Sequence, residues 1–122
     1  MFTEYVSPDA LSLLETLGTS ENFRSMRFYL AGGTGLTLQL GHRISNDLDF
    51  FTEQAFDPEM ALHTFAERLP VQVLEASPGT LHLVWSKDVK VSLFPYPYRV
   101  VFPFVYYRTC PVADYRDIAA MK

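Results

Sequence analysis

Apolar residues recur at helical spacing where Ala10, Leu11, Leu14 and Leu17 follow Ser7-Pro8-Asp9. This predicts a helix with Ser7 as N-cap and Pro8 at its first position, closed near Gly18. A polar stretch, Thr19 to Arg24, leads into Phe28-Tyr29-Leu30-Ala31, a short strand-like run that stops at Gly32-Gly33. From Thr34 to Gly41 the pattern is ambiguous. Leu36, Leu38 and Leu40 alternate as in a strand, whereas a Gly-Gly turn before Thr34 and a glycine stop at Gly41 read as the two ends of a helix.

Asp47-Leu48-Asp49-Phe50-Phe51 alternates carboxylate and apolar positions, which suits a strand with one wet face. Asp57-Pro58-Glu59 repeats the helix-start chemistry, and Met60, Ala61, Phe65 and Leu69 make an apolar stripe up to Pro70. Three strands are expected next, Val71 to Ala76, Thr80 to Trp85 and Val89 to Phe94. Ser77-Pro78-Gly79 and Ser86-Lys87-Asp88 supply the turns between them. Helices interleaved with a late meander of strands predict an α+β domain with a mostly antiparallel or mixed sheet.

The stretch 94–107 holds seven aromatic residues and three prolines in fourteen positions. Pro95, Pro97 and Pro103 each lack a backbone donor, so an edge strand or an extended connector is expected. Its aromatic surface reads first as packing for a helical part, a second copy or a partner, and second as a stacking surface for RNA bases. Ala113 to Lys122 reads as a helix with an acidic start.

Composition narrows the class. The 122 residues allow one domain, and 48% hydrophobic with 15% aromatic residues excludes global disorder. Cys110 is the lone cysteine, which excludes a disulfide scaffold or a Cys-rich zinc site; Cys110 and Trp85 read as core residues. No apolar run approaches bilayer-spanning length, and Met1-Phe2-Thr3-Glu4 lacks the basic and apolar regions of a signal peptide. A cytoplasmic location with no membrane association is therefore expected. The net charge of −4 argues against a general nucleic-acid coat protein. It divides into −7 over 1–86 and +3 over 87–122, leaving room for a local basic wall toward an anionic substrate.

The chemistry concentrates in Ala31-Gly32-Gly33-Thr34, Gly41-His42-Arg43 and Asp47-Leu48-Asp49-Phe50. Carboxylates at i and i+2 of a strand share a face, with roughly 7 Å between their Cα atoms. Such a pair can reach one hard divalent cation of the magnesium type. A Gly-Gly turn before a helix lets backbone N–H groups approach a phosphate. Each signal alone is common on ordinary surfaces; together, in one short block, they point to phosphoryl or nucleotidyl transfer. His63 and His82 lack a second ligand at metal spacing and read as ordinary residues.

Gly-Gly, thirteen residues, then Asp-x-Asp resembles the signature of the polymerase-beta-type nucleotidyltransferase superfamily. The fuller runs 28–34 and 38–51, with Asp117 to Lys122, resemble the AbiEii-type nucleotidyltransferase toxins of bacterial abortive-infection and toxin–antitoxin systems. The resemblance implies a nucleotidyltransferase-like α+β fold, a mixed sheet with helices mainly on one face, and a helix over Thr34 to Gly41. It implies that Asp47 and Asp49 are the catalytic carboxylates and ligate Mg2+ or Mn2+. Nucleotide binding would fall to Gly32, Gly33 and Thr34, with Lys90 and Ser92 added from the 89–94 strand.

The implied reaction moves a nucleoside monophosphate from a nucleoside triphosphate to RNA or protein, in a toxin–antitoxin or phage-defence system with a cognate antitoxin. Ser92 stands where a third carboxylate is expected on that strand, and a neutral hydroxyl cannot act as a carboxylate base. Residues 117–122 resemble the opening of a helical C-terminal half that holds a further Lys and Asp, a role Lys122 could begin. The expectation is thus a single domain, 1–122, truncated relative to the family and lacking that helical part. The alternative is a catalytically inactive fold used as an interaction module, or as a homodimer through the aromatic segment 94–107.

Overall fold

A computed structural model describes residues 1–67, 70–85 and 89–121. The expectations on Leu69, on the Ser86-Lys87-Asp88 turn and on Lys122 lie outside the described residues. Within them the chain forms five α-helices and seven strands. In chain order these are α1 (Pro8–Gly18), α2 (Glu21–Ser25), β1 (Tyr29–Ala31), α3 (Gly32–Leu40), β2 (Leu48–Thr52) and α4 (Pro58–Ala66). Then follow β3 (Val71–Ser77), β4 (Thr80–Trp85), β5 (Val89–Pro95), β6 (Val105–Tyr107), β7 (Cys110–Val112) and α5 (Tyr115–Ala120).

One sheet holds all seven strands in the order β3-β4-β5-β2-β1-β7-β6. It is mixed: β2 pairs with β5 and β1 with β7 in parallel, and every other pairing is antiparallel. The α+β expectation with a mixed sheet therefore holds. The caps also follow the local chemistry, since Ser7 Oγ accepts from the Ala10 N–H at 3.2 Å and Asp57 Oδ1 from the Glu59 N–H at 3.0 Å.

Strand alternation divides the sheet into two different faces. Leu30, Leu48, Phe50, Leu81, Leu83, Val91 and Leu93 point into the main core beneath α1, α2 and α4. Phe23 of α2 ties that core together, meeting Phe28, Phe50 and Phe65 at centroid distances of 5.5, 5.1 and 5.9 Å. Three of the five described helices thus cover one face. The opposite face carries Tyr29, Ala31, Asp49, Phe51, Ser92 and Phe94 in the same strands. Beside α5, Tyr29 and Ala31 join Ile118, Phe51, Val100 and Phe104 in a smaller cluster.

The aromatic-proline stretch is both things the sequence allowed. Its end forms the edge strand β6, while Tyr96 to Phe104 run as a connector across the second face. Phe104 lies 5.0 Å from the Tyr29 ring, whereas Tyr98, Val101 and Tyr106 remain exposed. Cys110 is fully buried, and Trp85 packs half-buried against the core.

Candidate active site

α3 begins where β1 ends, at Ala31, and no side chain caps it. Its first-turn N–H groups are left for water or a ligand. Gly32 has φ of +61°, the left-handed region, and a Cβ there would stand 2.5 Å from Asp49 Oδ2. Glycine is thus needed twice over, for the turn and for the approach of Asp49 to the helix start. A Cβ on Gly33 would run into Arg43 Nη2, so that guanidinium lies directly over the same turn.

Asp47 is set by the loop after α3. Thr34 Oγ1 donates to the Asp47 carbonyl and shares a 2.8 Å hydrogen bond with Ser45 Oγ. Ser45 N–H donates to the Tyr5 carbonyl at 3.0 Å, and Asn46 Oδ1 accepts from the Ser7 N–H at 2.8 Å. Thr34 is buried, and its side chain is used in this brace. Asp47 itself is exposed, and its Oδ1 accepts a long 3.4 Å hydrogen bond from the Lys90 N–H.

Pairing register aligns one row across the second face: Ala31 opposite Asp49, Asp49 beside Ser92, Ser92 opposite His82 and His82 opposite Glu75. Ser92 Oγ and His82 Nδ1 share a 2.8 Å hydrogen bond. The imidazole stands edge-on to Phe94, 5.5 Å between centroids at 74°. Burial holds the Asp49 carboxyl above its usual range; the negative charge of Asp47 pushes the same way, and His82 opposes both. Gly32, Gly33, Asp47, Asp49, Lys90 and Ser92 therefore border one region at the end of β1 and the start of β2. His82 was missed by sequence spacing. Counting back from the Trp85–Val89 pair puts it opposite Ser92, a signal that needs the register rather than a motif.

Two close oxygen ligands, one of them in a partly desolvated carboxylate, fit a hard divalent cation. Among the described residues no group of three or more His, Cys, Asp or Glu could hold a metal ion. The carboxylate donors here are two, not three.

Residues 13–79 match the family described as nucleotidyl transferase AbiEii toxin, type IV TA system, over more than half of the chain. The chain belongs to the AbiEii family. An AbiEii-family reading of the block 28–51 thus has a sequence basis independent of its geometry. The uncharacterized protein aq_aa25 of Aquifex aeolicus (strain VF5) is 37% identical over 95 residues, 76% of this chain and 43% of that protein. The AbiEii-family chain described here therefore spans less than half the length of that relative.

Among solved structures, a CCA-adding enzyme in complex with CTP is 24% identical with a TM-score of 0.57, over 77% of this chain and 22% of that one. JHP933 from Helicobacter pylori is 17% identical with a TM-score of 0.59, over 95% of this chain and 56% of that one. At these identities the likeness shows the fold, a nucleotidyltransferase-like one. Among the described residues no helix is long and apolar enough to cross a membrane.

Proposed function

We propose that this chain is the nucleotide- and cation-binding part of a nucleotidyltransferase. It moves a nucleoside monophosphate from a nucleoside triphosphate to an RNA or protein acceptor, in a cytoplasmic toxin–antitoxin or phage-defence setting. The carrying observation is the approach of Asp49 Oδ2 to Gly32 at the uncapped start of α3, with Asp47 two residues away and Arg43 over Gly33. In this reading Asp47 and Asp49 hold Mg2+ or Mn2+. The α3 amides at Gly32, Gly33 and Thr34, with Arg43 and Lys90, take the phosphate oxygens. The bound cation supplies neutralisation of phosphate charge and activation of the attacking oxygen. The CTP seen with the similar CCA-adding enzyme supports a triphosphate as the ligand class. Residues 1–122 act as one domain, with a cognate antitoxin as its partner.

Isothermal titration of GTP, CTP, ATP and UTP with Mg2+ tests this. Binding of at least one, lost in Asp49→Asn, is expected; binding of none overturns the reading for this chain. A second reading, an inactive fold serving as a docking or dimer module, is favoured by the two-carboxylate site and by exposed Tyr98, Val101 and Tyr106. It predicts no nucleotide binding together with a dimer in light scattering.

A further inference from the structure

The row Asp49–Ser92–His82 holds a feature that two carboxylates and a phosphate cradle leave unused. Ser92 is the neighbour of Asp49 in a parallel pair, on the same face of the sheet, so their Cα atoms are separated by about one strand spacing, ~4.8 Å. Its hydroxyl does not turn freely: it shares the 2.8 Å hydrogen bond with His82 Nδ1. The imidazole is in turn held edge-on by Phe94. When Nδ1 accepts the hydroxyl proton, both lone pairs of Ser92 Oγ are free for another partner. The neighbour on the other side is a carboxylate to which no described residue donates a hydrogen bond.

We propose that Ser92 Oγ is a third oxygen ligand of the cation held by Asp47 and Asp49, and that His82 is the positioning residue that orients it. This rests on the cation site of the proposed function and adds residues to it. Hydroxyls serve as magnesium ligands where phosphate oxygens and water complete the shell. His82 takes the positioning role because its Nδ1 is engaged by the Ser92 hydroxyl. A neutral third ligand leaves the protein contributing two negative charges rather than three. The cation then binds weakly alone and more tightly as its nucleotide complex, so cation and triphosphate arrive together. The imidazole acts through Ser92, as the partners of metal ligands elsewhere fix orientation without touching the ion.

Titration of the full chain with Mn2+, read by electron paramagnetic resonance of the free ion, tests this without any acceptor. Ser92→Ala and His82→Ala are each expected to weaken Mn2+ by about tenfold, the lower end of what ligand-orienting partners contribute. His82→Asn, whose amide oxygen can accept the same proton, should stay within about twofold of wild type on the same grounds. Ser92→Cys should favour Cd2+ over Mn2+, because a thiolate is the softer ligand. The native thiol is fully buried and adds little background.

If Ser92→Ala binds Mn2+ as wild type does while Asp49→Asn loses it, Ser92 is no ligand and the two-carboxylate site stands. If the Ser92 and His82 variants melt lower with Mn2+ affinity unchanged, their hydrogen bond is structural and the proposal falls. Should Ser92→Ala not fold, an unchanged metal preference in Ser92→Cys overturns it equally. Absence of Mn2+ binding to wild type, or its persistence in Asp49→Asn, removes the underlying site as well.

Discussion

Asp49 is under electrostatic load before any ligand arrives. Its carboxyl is raised above the usual carboxylate range, first by burial and then by the charge of Asp47. Below the unfolded-state value both folded and unfolded forms are protonated, and the shift has no effect on stability. As pH rises, the unfolded chain ionises first, so the native state loses stability until the folded value is passed. Asp49→Asn is therefore expected to raise the melting temperature of the cation-free protein at pH 7 and to change it little near pH 3; an equal rise at both would show that charge is not the cause. Gly32 carries the opposite sign. Alanine there must hold φ of +61° and displace Asp49 Oδ2. Gly32→Ala should cost about 1–2 kcal/mol from the left-handed backbone alone, measured by urea unfolding, and should abolish Mn2+ binding.

At the scale of elements, α5 acts as an anchor for the aromatic connector. Asp117 is 7% exposed, and its two oxygens accept from the Val101 and Phe102 N–H groups at 2.8 and 2.9 Å. Arg116 covers the Phe102 ring, 3.6 Å from its centroid. Bonds to a charged acceptor contribute about 1.5–3 kcal/mol each. Asp117→Ala removes two such bonds and should destabilise by about 3–6 kcal/mol on that basis, with faster hydrogen exchange at Val101 and Phe102 as the local signature. Unchanged exchange there would mean the connector is held by its rings alone.

The elements also differ in how legible they were. α1, α4 and the strands β2 to β5 carry caps or alternation that name them directly. α3 misled by period because it packs on two sides: Leu38 enters the main core, Leu36 lies against the second cluster, and Leu40 stays exposed. A helix without a single apolar stripe gives no 3.6-residue signal; here family resemblance supplied the helix. α2 hid in a polar stretch, capped by Ser20 Oγ on the Phe23 N–H and too short for periodicity. β7 contains Pro111 and spans three residues, so its strand character comes from pairing with β1 and β6. The site was legible where chain neighbours build it, at Gly32-Gly33 and Asp47-x-Asp49. It was not legible at His82, whose partner is ten residues away across a hairpin.

The whole molecule has a sheet with three helices on one face and, on the other, an aromatic cluster beside α5. The carboxylate cost and the cation gain meet on that second face. A cation that binds only the native state stabilises it by RT ln(1 + [L]/Kd), about 2.7 kcal/mol at a hundredfold excess over Kd. For a chain of 122 residues that corresponds to roughly 8–16 °C in melting temperature, taking about 3–6 °C per kcal/mol. Mn2+ should therefore raise the melting temperature of wild type, with a further rise when a triphosphate is added, because phosphate oxygens complete the shell that two carboxylates begin. In Asp49→Asn the cation-free protein should melt higher than wild type and the Mn2+ increment should vanish. The two melting curves then cross as Mn2+ is raised. A parallel offset at every concentration would place the binding cation elsewhere on the molecule.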